Sequence, residues 1–252
     1  MKPRDRRMQI EAVIRAAGSA SVDDLAARFG VSTETIRRDL ACLAGTGRVQ
    51  KVHGGARSAR LLSEPSMAIR TATASDEKTR MGRLLADEIE PGATIFIDTG
   101  STTLAAAPAL AAIAGLTVIT NSCRLAEALA HAGSDAAVHL LGGRFRADNA
   151  QTVGPSVLGQ IADYQADHCV LTVAAFAPEI GAMDACHDEA QIARAMMQAA
   201  RNLIVLADSS KLDRRAAFTI CPTARVGLLI TDDAIPPQIR ADLAARGLRV
   251  AC

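Results

Sequence analysis

The 252-residue sequence predicts an α/β protein with two parts, a small helical N-terminal domain and a larger open-sheet domain. Short apolar periods of helical spacing, separated by glycines, fill the first 45 residues. Beyond residue 77, β-rich runs alternate with helical segments, as in a sheet that helices cover on both faces. The charge is divided in the same way: residues 1–60 carry 12 Lys and Arg against 6 Asp and Glu, whereas residues 61–252 carry 16 against 21. A basic head on an acidic body indicates that the head binds a polyanion.

Composition excludes several classes of protein. With 49% hydrophobic and 22% charged residues, the chain is typical of a globular protein. It has five Phe, one Tyr and no Trp, too few rings for a protein that stacks the bases of single-stranded nucleic acid. The N-terminus has no apolar signal core, and the longest apolar stretch, residues 104–120, is interrupted by Pro108 and Gly115. We therefore expect a cytoplasmic protein with no membrane partner.

The six cysteines are scattered and include no C-x-x-C pair, which favours reduced thiols over disulfides. The adjacent pairs His168 with Cys169 and Cys186 with His187 do not have the ligand spacing of a zinc site. We expect no metal and no cofactor. A metal- or redox-responsive protein that uses Cys169, Cys186 and His187 remains an alternative.

Three helices are predicted in the N-terminal domain. Gly18 ends the first, Ser21 caps the second by accepting an orphan N–H group, and Gly30 ends the second with a sharp turn. Ser32 then caps the third, TETIRRDLACLAG. The apolar positions expected to face the core are Ile10, Val13, Ile14, Ala17, Val22, Leu25, Ala26, Phe29, Ile36, Leu40 and Leu43.

The second and third helices, joined by a glycine-containing turn, predict a helix-turn-helix, whose second helix enters the major groove of DNA. Hydroxyl and guanidinium groups near the start of that helix can read base edges, although a solvated helix face is the alternative. Residues 47–57 alternate and predict a small β-wing whose cations contact phosphates. We expect Asp39 to pair with an arginine rather than to face DNA. The residues predicted to contact double-stranded DNA are Ser32, Thr33, Thr35, Arg37, Arg38, Arg48, Lys51 and His53.

These residues carry a family resemblance. Together with the segment VHGGA at 52–56, they resemble the signature of the DeoR family of bacterial transcriptional regulators. The resemblance implies a winged helix-turn-helix over residues 1–58, a linker over 59–77 and a sensor domain over 78–252. The matching positions are Arg6, Ile10, Ile14, Ser32, Thr35, Ile36, Arg37, Arg38, Asp39 and Leu40.

The second domain is predicted to be an open α/β sheet, mostly parallel and covered on both faces. Helices are expected near 78–89, 103–113, 123–132, 187–200 and 236–246. The expected strands are TIFID (94–98), TVIT (117–120), VHLLGG (138–143), CVLTV (169–173), NLIVLAD (202–208) and VGLLITD (226–232).

Ligands of such sheets bind beyond the carboxyl ends of the strands. There the sequence has DTGSTT (98–103), TNS (120–122), GGR (142–144) and DSSK (208–211), whose hydroxyl, amide and cationic groups suit a small, anionic, hydroxylated ligand. The first of these segments leads into a helix, and helix N-termini bind phosphate.

The same segments resemble the C-terminal sensor domain of the DeoR family, whose fold is similar to ribose-5-phosphate isomerase and whose members bind phosphorylated sugars or polyols. The leading hypothesis is a repressor that responds to such an effector. Because a helix-turn-helix of this size binds paired half-sites as a dimer, we expect a homodimer or homotetramer. The effector-binding residues it implies are Asp98, Thr99, Gly100, Ser101, Thr102, Thr103, Thr120, Asn121, Gly143, Arg144, Glu189 and Lys211.

The sequence departs from the family at two places. Residues 174–177 (AAFA) replace a glycine-rich stretch, so that Phe176 is expected to make the pocket tighter or less polar, and Ala193 stands where relatives often have lysine. The rival hypothesis is an isomerase-like enzyme with a DNA-binding appendage, in which Glu189 and Lys211 serve as the acid–base pair. The AAFA stretch argues against the isomerase hypothesis, because it provides no carboxylate after the fourth predicted strand, CVLTV (169–173).

Overall fold

The computed structural model describes residues 3–45, 49–52, 54–58 and 64–252. The chain forms two compact units, Met1–Pro65 and Ser66–Cys252. The structure places a short helix inside the segment predicted as a linker over 59–77. Met67 and Arg70 of this helix are buried, although the surrounding sequence is polar and has no clear period.

The described residues of the first unit form a helix-turn-helix with a three-stranded antiparallel sheet, in the order β1-β3-β2. The predicted wing is the hairpin of β2 and β3, and β1 is an additional strand that pairs with β3. Most of the predicted core positions are buried, and Ile10, Ile14 and Ile36 are fully so. Ala17 is a correction: it was expected to face the core, but it is exposed at the last residue of α1, where the helix ends. The elements are α1 (Pro3–Ala17), β1 (Ser19–Ser21), α2 (Val22–Phe29), α3 (Thr33–Gly45), β2 (Val49–Val52) and β3 (Gly55–Ser58).

The turn between α2 and α3 forms as the sequence predicts. The Asp24 amide donates to the Ser21 hydroxyl at 3.0 Å, which caps α2. Gly30 ends that helix at φ 63°, in the left-handed region that glycine adopts without steric cost. The Thr35 amide then donates to the Ser32 hydroxyl at 3.3 Å, so that Ser32 holds the first turn of α3.

The second unit, all of whose residues are described, is an α/β domain. Its seven-stranded sheet has the order β15-β14-β12-β9-β4-β5-β6, and every neighbouring pair is parallel. The elements are α4 (Met67–Ala72), α5 (Ser75–Ala86), β4 (Thr94–Ile97), α6 (Ser101–Ala111), β5 (Thr117–Thr120), α7 (Cys123–His131), β6 (Ala137–Leu140), β7 (Arg144–Arg146), β8 (Gln151–Val153), α8 (Pro155–Ile161), β9 (Ala166–Thr172), β10 (Ala175–Ala177), β11 (Gly181–Asp184), α9 (His187–Gln198), β12 (Ala200–Leu206), β13 (Phe218–Cys221), β14 (Leu228–Ile230), α10 (Pro237–Ala245) and β15 (Arg249–Ala251).

Helices cover the main sheet on both faces, which confirms the predicted fold class. Neighbouring residues of a strand point to opposite faces, so that Ile95 and Ile97 belong to one apolar cluster and Phe96 to the other. Two smaller antiparallel sheets, β10-β11-β13 and the hairpin β7-β8, accompany the main one. Phe176, which was expected to narrow the pocket, is fully buried in the core cluster of Phe96. In the part of the chain that the structure describes, no helix combines the length and the apolar character needed to cross a membrane.

Candidate functional site

The residues predicted to contact DNA lie on and beside α3. Arg48 and His53 lie outside the described residues. Among the rest, the two threonines are half-buried, and the other four residues are exposed. The described positions are Ser32, Thr33, Thr35, Arg37 and Arg38 at the start of α3, and Lys51 on β2.

Two arginines at the start of α3 point away from the core, while the acidic residue that follows them points inward. Arg37 and Arg38 are exposed, and Arg38 pairs with Glu34 on its own helix, at 3.3 Å and at exposed positions, where ion pairs are weak. Asp39 is buried and accepts a hydrogen bond from Arg6 at 2.6 Å, which confirms that it pairs with an arginine. The Arg6–Asp39 pair joins α1 to α3 and leaves the exposed side of α3 to the hydroxyl and guanidinium groups.

In the second unit, the strand order reverses between β4 and β9. From β4 the chain adds β5 and β6 on one side, whereas β9 is followed by β12, β14 and β15 on the other. Ligands of open α/β sheets bind at such a point. Asp98 and Thr172 stand there, and the Thr172 amide donates to both carboxylate oxygens of Asp98, at 3.0 and 3.1 Å.

The segment after β4 leads directly into the N-terminus of α6. The first amide groups of a helix have no intrahelical acceptor, and Gly100 at the cap provides no side chain for them. Thr103 braces the loop from within, because its hydroxyl lies 3.1 Å from the carbonyl oxygens of both Asp98 and Gly100. Ser101 is also buried, at the first position of the helix. The loop thus presents backbone N–H groups at a buried edge of the sheet.

Three polar atoms around this edge are buried and have no hydrogen-bond partner among the described residues. They are the hydroxyls of Thr99 and Thr102 and the side-chain oxygen of Asn121. The three residues are 6%, 0% and 2% exposed. Buried polar groups are normally satisfied, so three such atoms at one edge indicate a site for a polar ligand.

Asn121 follows β5 and is held through its amide nitrogen. That nitrogen donates to Gln151 Oε1 and to the carbonyl oxygen of Thr152, both at 3.1 Å. The neighbouring Thr120 hydroxyl accepts from the Ser122 amide at 3.0 Å, so that it contributes to the turn. Of these residues, Asn121 is the one whose unpartnered atom could contact a ligand.

Three carboxylates, those of Asp98, Asp184 and Glu189, lie close enough to interact at the loop of residues 98–103, the candidate phosphate-binding loop. Burial raises the pKa of Asp98 well above its ordinary value; the Thr172 amide lowers it, the carboxylates of Asp184 and Glu189 raise it further, and the Lys211 ammonium lowers it. The charge of an approaching anion would add to this repulsion, so that a protonated Asp98 is the form that suits an anionic ligand. Glu189 accepts from amide nitrogens, and carboxylates that are held in this way can accept from sugar hydroxyls.

Gly143 and Arg144 lie on the hairpin that follows β6, and both are exposed. Arg144 pairs with Asp188 at 3.2 Å. On the same hairpin, Arg146 donates to Cys186 Sγ at 3.0 Å and lies 3.8 Å from Glu189. The structure therefore places Arg146, which was not predicted, beside Glu189, and it leaves Arg144 exposed at the rim, paired with Asp188.

Sequence reasoning missed several polar residues of the site. Asp184 ends β11, Asn149 and Gln151 lie at the hairpin, and Thr172 ends β9. Thr172 carried a signal, because it is the penultimate residue of the predicted strand CVLTV (169–173). The other three lie outside the six predicted strands, and only the folded chain brings them beside Asn121 and Asp98.

Among the described residues, the structure offers no side-chain cluster that supports the metal-responsive alternative. No group of three or more His, Cys, Asp and Glu side chains in that part of the chain is arranged to hold a metal ion. Burial raises the pKa of Cys169 well above its ordinary value and raises the pKa of Cys221 to about 11, which keeps both as unreactive thiols at neutral pH.

Comparison with known proteins decides the family. The model of the DeoR-like helix-turn-helix domain matches residues 6–60, and the model of the DeoR C-terminal sensor domain matches residues 73–233. The chain belongs to the DeoR family. It is 34% identical to the HTH-type transcriptional repressor CsqR of Escherichia coli K12, over 94% of this chain and 91% of that protein. It is also 30% identical to the glycerol-3-phosphate regulon repressor of the same strain, over 95% and 94%.

The chain has both DeoR domains, and its relatives, which match over nearly its full length, are named transcriptional repressors. It is therefore a transcriptional repressor of DeoR type and not an enzyme. Among solved structures it is similar to ribose 5-phosphate isomerase from Plasmodium falciparum, with a TM-score of 0.41 and 13% identity over 56% of this chain and 54% of that chain. A likeness of this size carries no information about what the DeoR-family chain binds.

Proposed function

We propose that this DeoR-type repressor binds a phosphorylated sugar or polyol at the carboxyl edge of its sheet, and that the ligand changes its affinity for operator DNA. The observation that carries the proposal is the set of three unpartnered buried atoms, on Thr99, Thr102 and Asn121. Hydroxyls can donate to phosphate oxygens, and the amide groups at the start of α6 add a site where anions bind without a cationic side chain.

The ligand is polar along its length. The loop of residues 98–103 holds the phosphate, and Lys211 lowers the cost of bringing the anion near the carboxylates. Asn121 and Glu189 accept from the hydroxyls of the carbon chain. One relative supports the ligand class, because it is named for the glycerol-3-phosphate regulon.

The first unit binds double-stranded DNA through α3 in the major groove. Thr33, Thr35, Arg37 and Arg38 contact base edges and phosphates, and Lys51 on the wing contacts the backbone. A helix-turn-helix of this size reads paired half-sites as a symmetric oligomer, so the repressor acts as a homodimer or homotetramer. Sedimentation of the full chain tests this part; a monomer at micromolar concentration would contradict it.

A thermal-shift experiment on the full chain tests the ligand class. A ligand that binds only the folded state raises the unfolding midpoint by mass action. The probes are inorganic phosphate, glycerol 3-phosphate, ribose 5-phosphate and fructose 6-phosphate. At least one organic phosphate is expected to raise the midpoint more than inorganic phosphate does.

A pair of matched variants locates the binding. Thr102→Val keeps the shape of the side chain and removes the unpartnered hydroxyl, and it is expected to abolish the shift. Thr117→Val makes the same change at the first residue of β5, at the opposite end of the strand, and should leave the shift intact. Equal shifts in both variants would exclude this loop as the binding site.

A further inference from the structure

A row of buried and partly buried hydrogen bonds connects the candidate ligand site to α4, the first helix after Pro65. On α4, Arg70 Nη2 donates to Asn149 Oδ1 at 2.7 Å. Asn149 Nδ2 donates to Glu189 Oε1 at 3.0 Å, and Gln151 Nε2 donates to the same oxygen at 2.6 Å. Asn121 Nδ2 donates to Gln151 Oε1 at 3.1 Å. These five side chains, the polar relay, join four segments that are distant in sequence.

The chemistry of the five side chains in the polar relay determines which group donates in each hydrogen bond. A guanidinium can only donate and a carboxylate can only accept. Arg70 therefore faces the oxygen of Asn149, and Glu189 faces the nitrogens of both Asn149 and Gln151. Gln151 is left with its oxygen toward Asn121, so that Asn121 must turn its nitrogen inward and its oxygen outward. Amide orientations are usually ambiguous, but here Arg70 at one end of the relay and Glu189 in its middle define them.

At the candidate ligand site, the relay holds one hydrogen-bond acceptor, Asn121 Oδ1, in a fixed orientation. The side-chain oxygen of Asn121 is buried and has no partner among the described residues. An unsatisfied buried acceptor favours a ligand that brings a donor to it. A ligand hydroxyl provides one, whereas a second phosphate or carboxylate group would not.

The other end of the relay is anchored as well. Arg70 is 8% exposed, and Lys78, which is 3% exposed, donates to the carbonyl oxygens of Arg70 and Thr73 at the end of α4. A shift of Glu189 or Asn149 is therefore transmitted to α4 rather than absorbed by a mobile surface side chain. Since α4 directly follows the boundary between the two units, it is the element on which a ligand signal would act first.

We propose that Arg70, Asn149 and Gln151 are positioning residues, which orient Asn121 and Glu189 to accept from a hydroxyl of the effector and which couple the occupied site to α4. The hydroxyl preference rests on the proposed function, because it presupposes that a phosphorylated ligand binds here. The coupling of Glu189 to α4 does not rest on the proposed function, because the hydrogen bonds that form it are present in the protein without ligand.

Hydrogen exchange of the full chain without ligand tests the coupling. Glu189→Ala removes the shared acceptor without touching α4, and the amides of Met67–Ala72 are expected to exchange about three- to tenfold faster, the effect of losing one net hydrogen bond. Asp188→Ala removes the same charge at the adjacent position, which pairs with exposed Arg144, and should leave α4 unchanged. Unchanged exchange in Glu189→Ala, or α4 amides that already exchange at the intrinsic rate in the wild type, would overturn the coupling.

A ligand pair tests the hydroxyl preference. Glycerol 3-phosphate and n-propyl phosphate differ in their hydroxyls, and the wild type is expected to bind the former about tenfold more tightly. Gln151→Met removes one of the two acceptors of the Asn121 amide nitrogen and leaves the Thr152 carbonyl oxygen as the other. The side chain of Asn121 is then held less firmly, so the ratio of the two dissociation constants should fall to about threefold or less. Exposed Gln198→Met is the control and should keep the wild-type ratio.

The outcomes separate the two proposals. If Gln151→Met weakens both ligands equally, the relay is only structural and the specificity proposal fails. If the wild type binds neither these two ligands nor the other phosphate probes, the proposed effector class fails, while the exchange of α4 still decides the coupling. Should Glu189→Ala not fold, Gln151→Met is measured by hydrogen exchange in its place, with the same expected direction.

Discussion

Replacing Gly100 by alanine tests how closely the loop after β4 packs on β9. An alanine Cβ at this position would lie 2.2 Å from Thr172 Oγ1, 2.7 Å from its Cγ2 and 2.9 Å from its Cβ. The backbone is extended, at φ −172° and ψ 163°, so that any residue could adopt it and the cost comes from the contact alone. Thr172 is 6% exposed and its amide binds Asp98, which limits how far it can move away.

Overpacking of this kind costs about 1–3 kcal/mol. For a domain of this size the unfolding midpoint of the sensor domain should fall by about 2 to 12 °C. Gly159→Ala is the matched control, because its Cβ would meet nothing within 4 Å and the site is helical, so it should be neutral or slightly stabilising. Thr172→Ala removes two of the three clashing atoms and should recover part of the loss in the double variant. If Gly100→Ala unfolds at the same temperature as the wild type, the close packing of Gly100 on Thr172 is refuted.

Three further predictions concern charged groups. Asp39→Ala leaves the Arg6 guanidinium buried without its nearest carboxylate and should cost the first unit about 3–5 kcal/mol in chemical denaturation, whereas a loss under about 1 kcal/mol would contradict the pairing. Arg38→Ala should weaken operator binding and reduce the salt slope in fluorescence anisotropy by about one, while exposed Arg201→Ala should not. Burial raises the pKa of Asp98, so this group's contribution is most favourable below the ordinary aspartate pKa and is lost as pH rises toward the raised one. Asp98→Asn should therefore raise the unfolding midpoint at pH 7, with the gain vanishing toward about pH 4, and a gain that is constant with pH would argue against the raised pKa.

Much of the fold could be predicted because the pattern is local. Six of the seven strands of the main sheet appeared as apolar runs, and the five predicted helices correspond to α5, α6, α7, α9 and α10. The strands that were missed are short: β1, β7, β8, β10 and β15 have three residues each and β11 and β13 have four, too few for a period to be distinguished. The seven-residue helix α8 was missed as well. Helix α4 was missed because only a tertiary environment buries Met67 and Arg70 in a segment that is otherwise polar.

The site could be predicted only in part, for a physical reason. Parallel strands place their carboxyl ends at one edge, so Asp98, Thr102 and Asn121 could be assigned from the ends of predicted strands. Asn149 and Gln151 could not, since their role depends on hydrogen bonds to residues 30 to 79 positions away in sequence. Side-chain direction also lay beyond the sequence: the Thr103 and Thr120 hydroxyls brace the backbone, while the neighbouring Thr102 hydroxyl is unpartnered.

The central claim is that a ligand at this edge controls DNA binding, and one titration tests it most directly. The full chain binds a duplex recovered by in-vitro selection, and its dissociation constant is measured by anisotropy with and without the probe that gave the largest thermal shift. Coupling between the sites should change that constant by about fivefold or more in the wild type and in Thr117→Val, and not in Thr102→Val. A probe that shifts the unfolding midpoint of the wild type but leaves its affinity for the duplex unchanged would contradict the account.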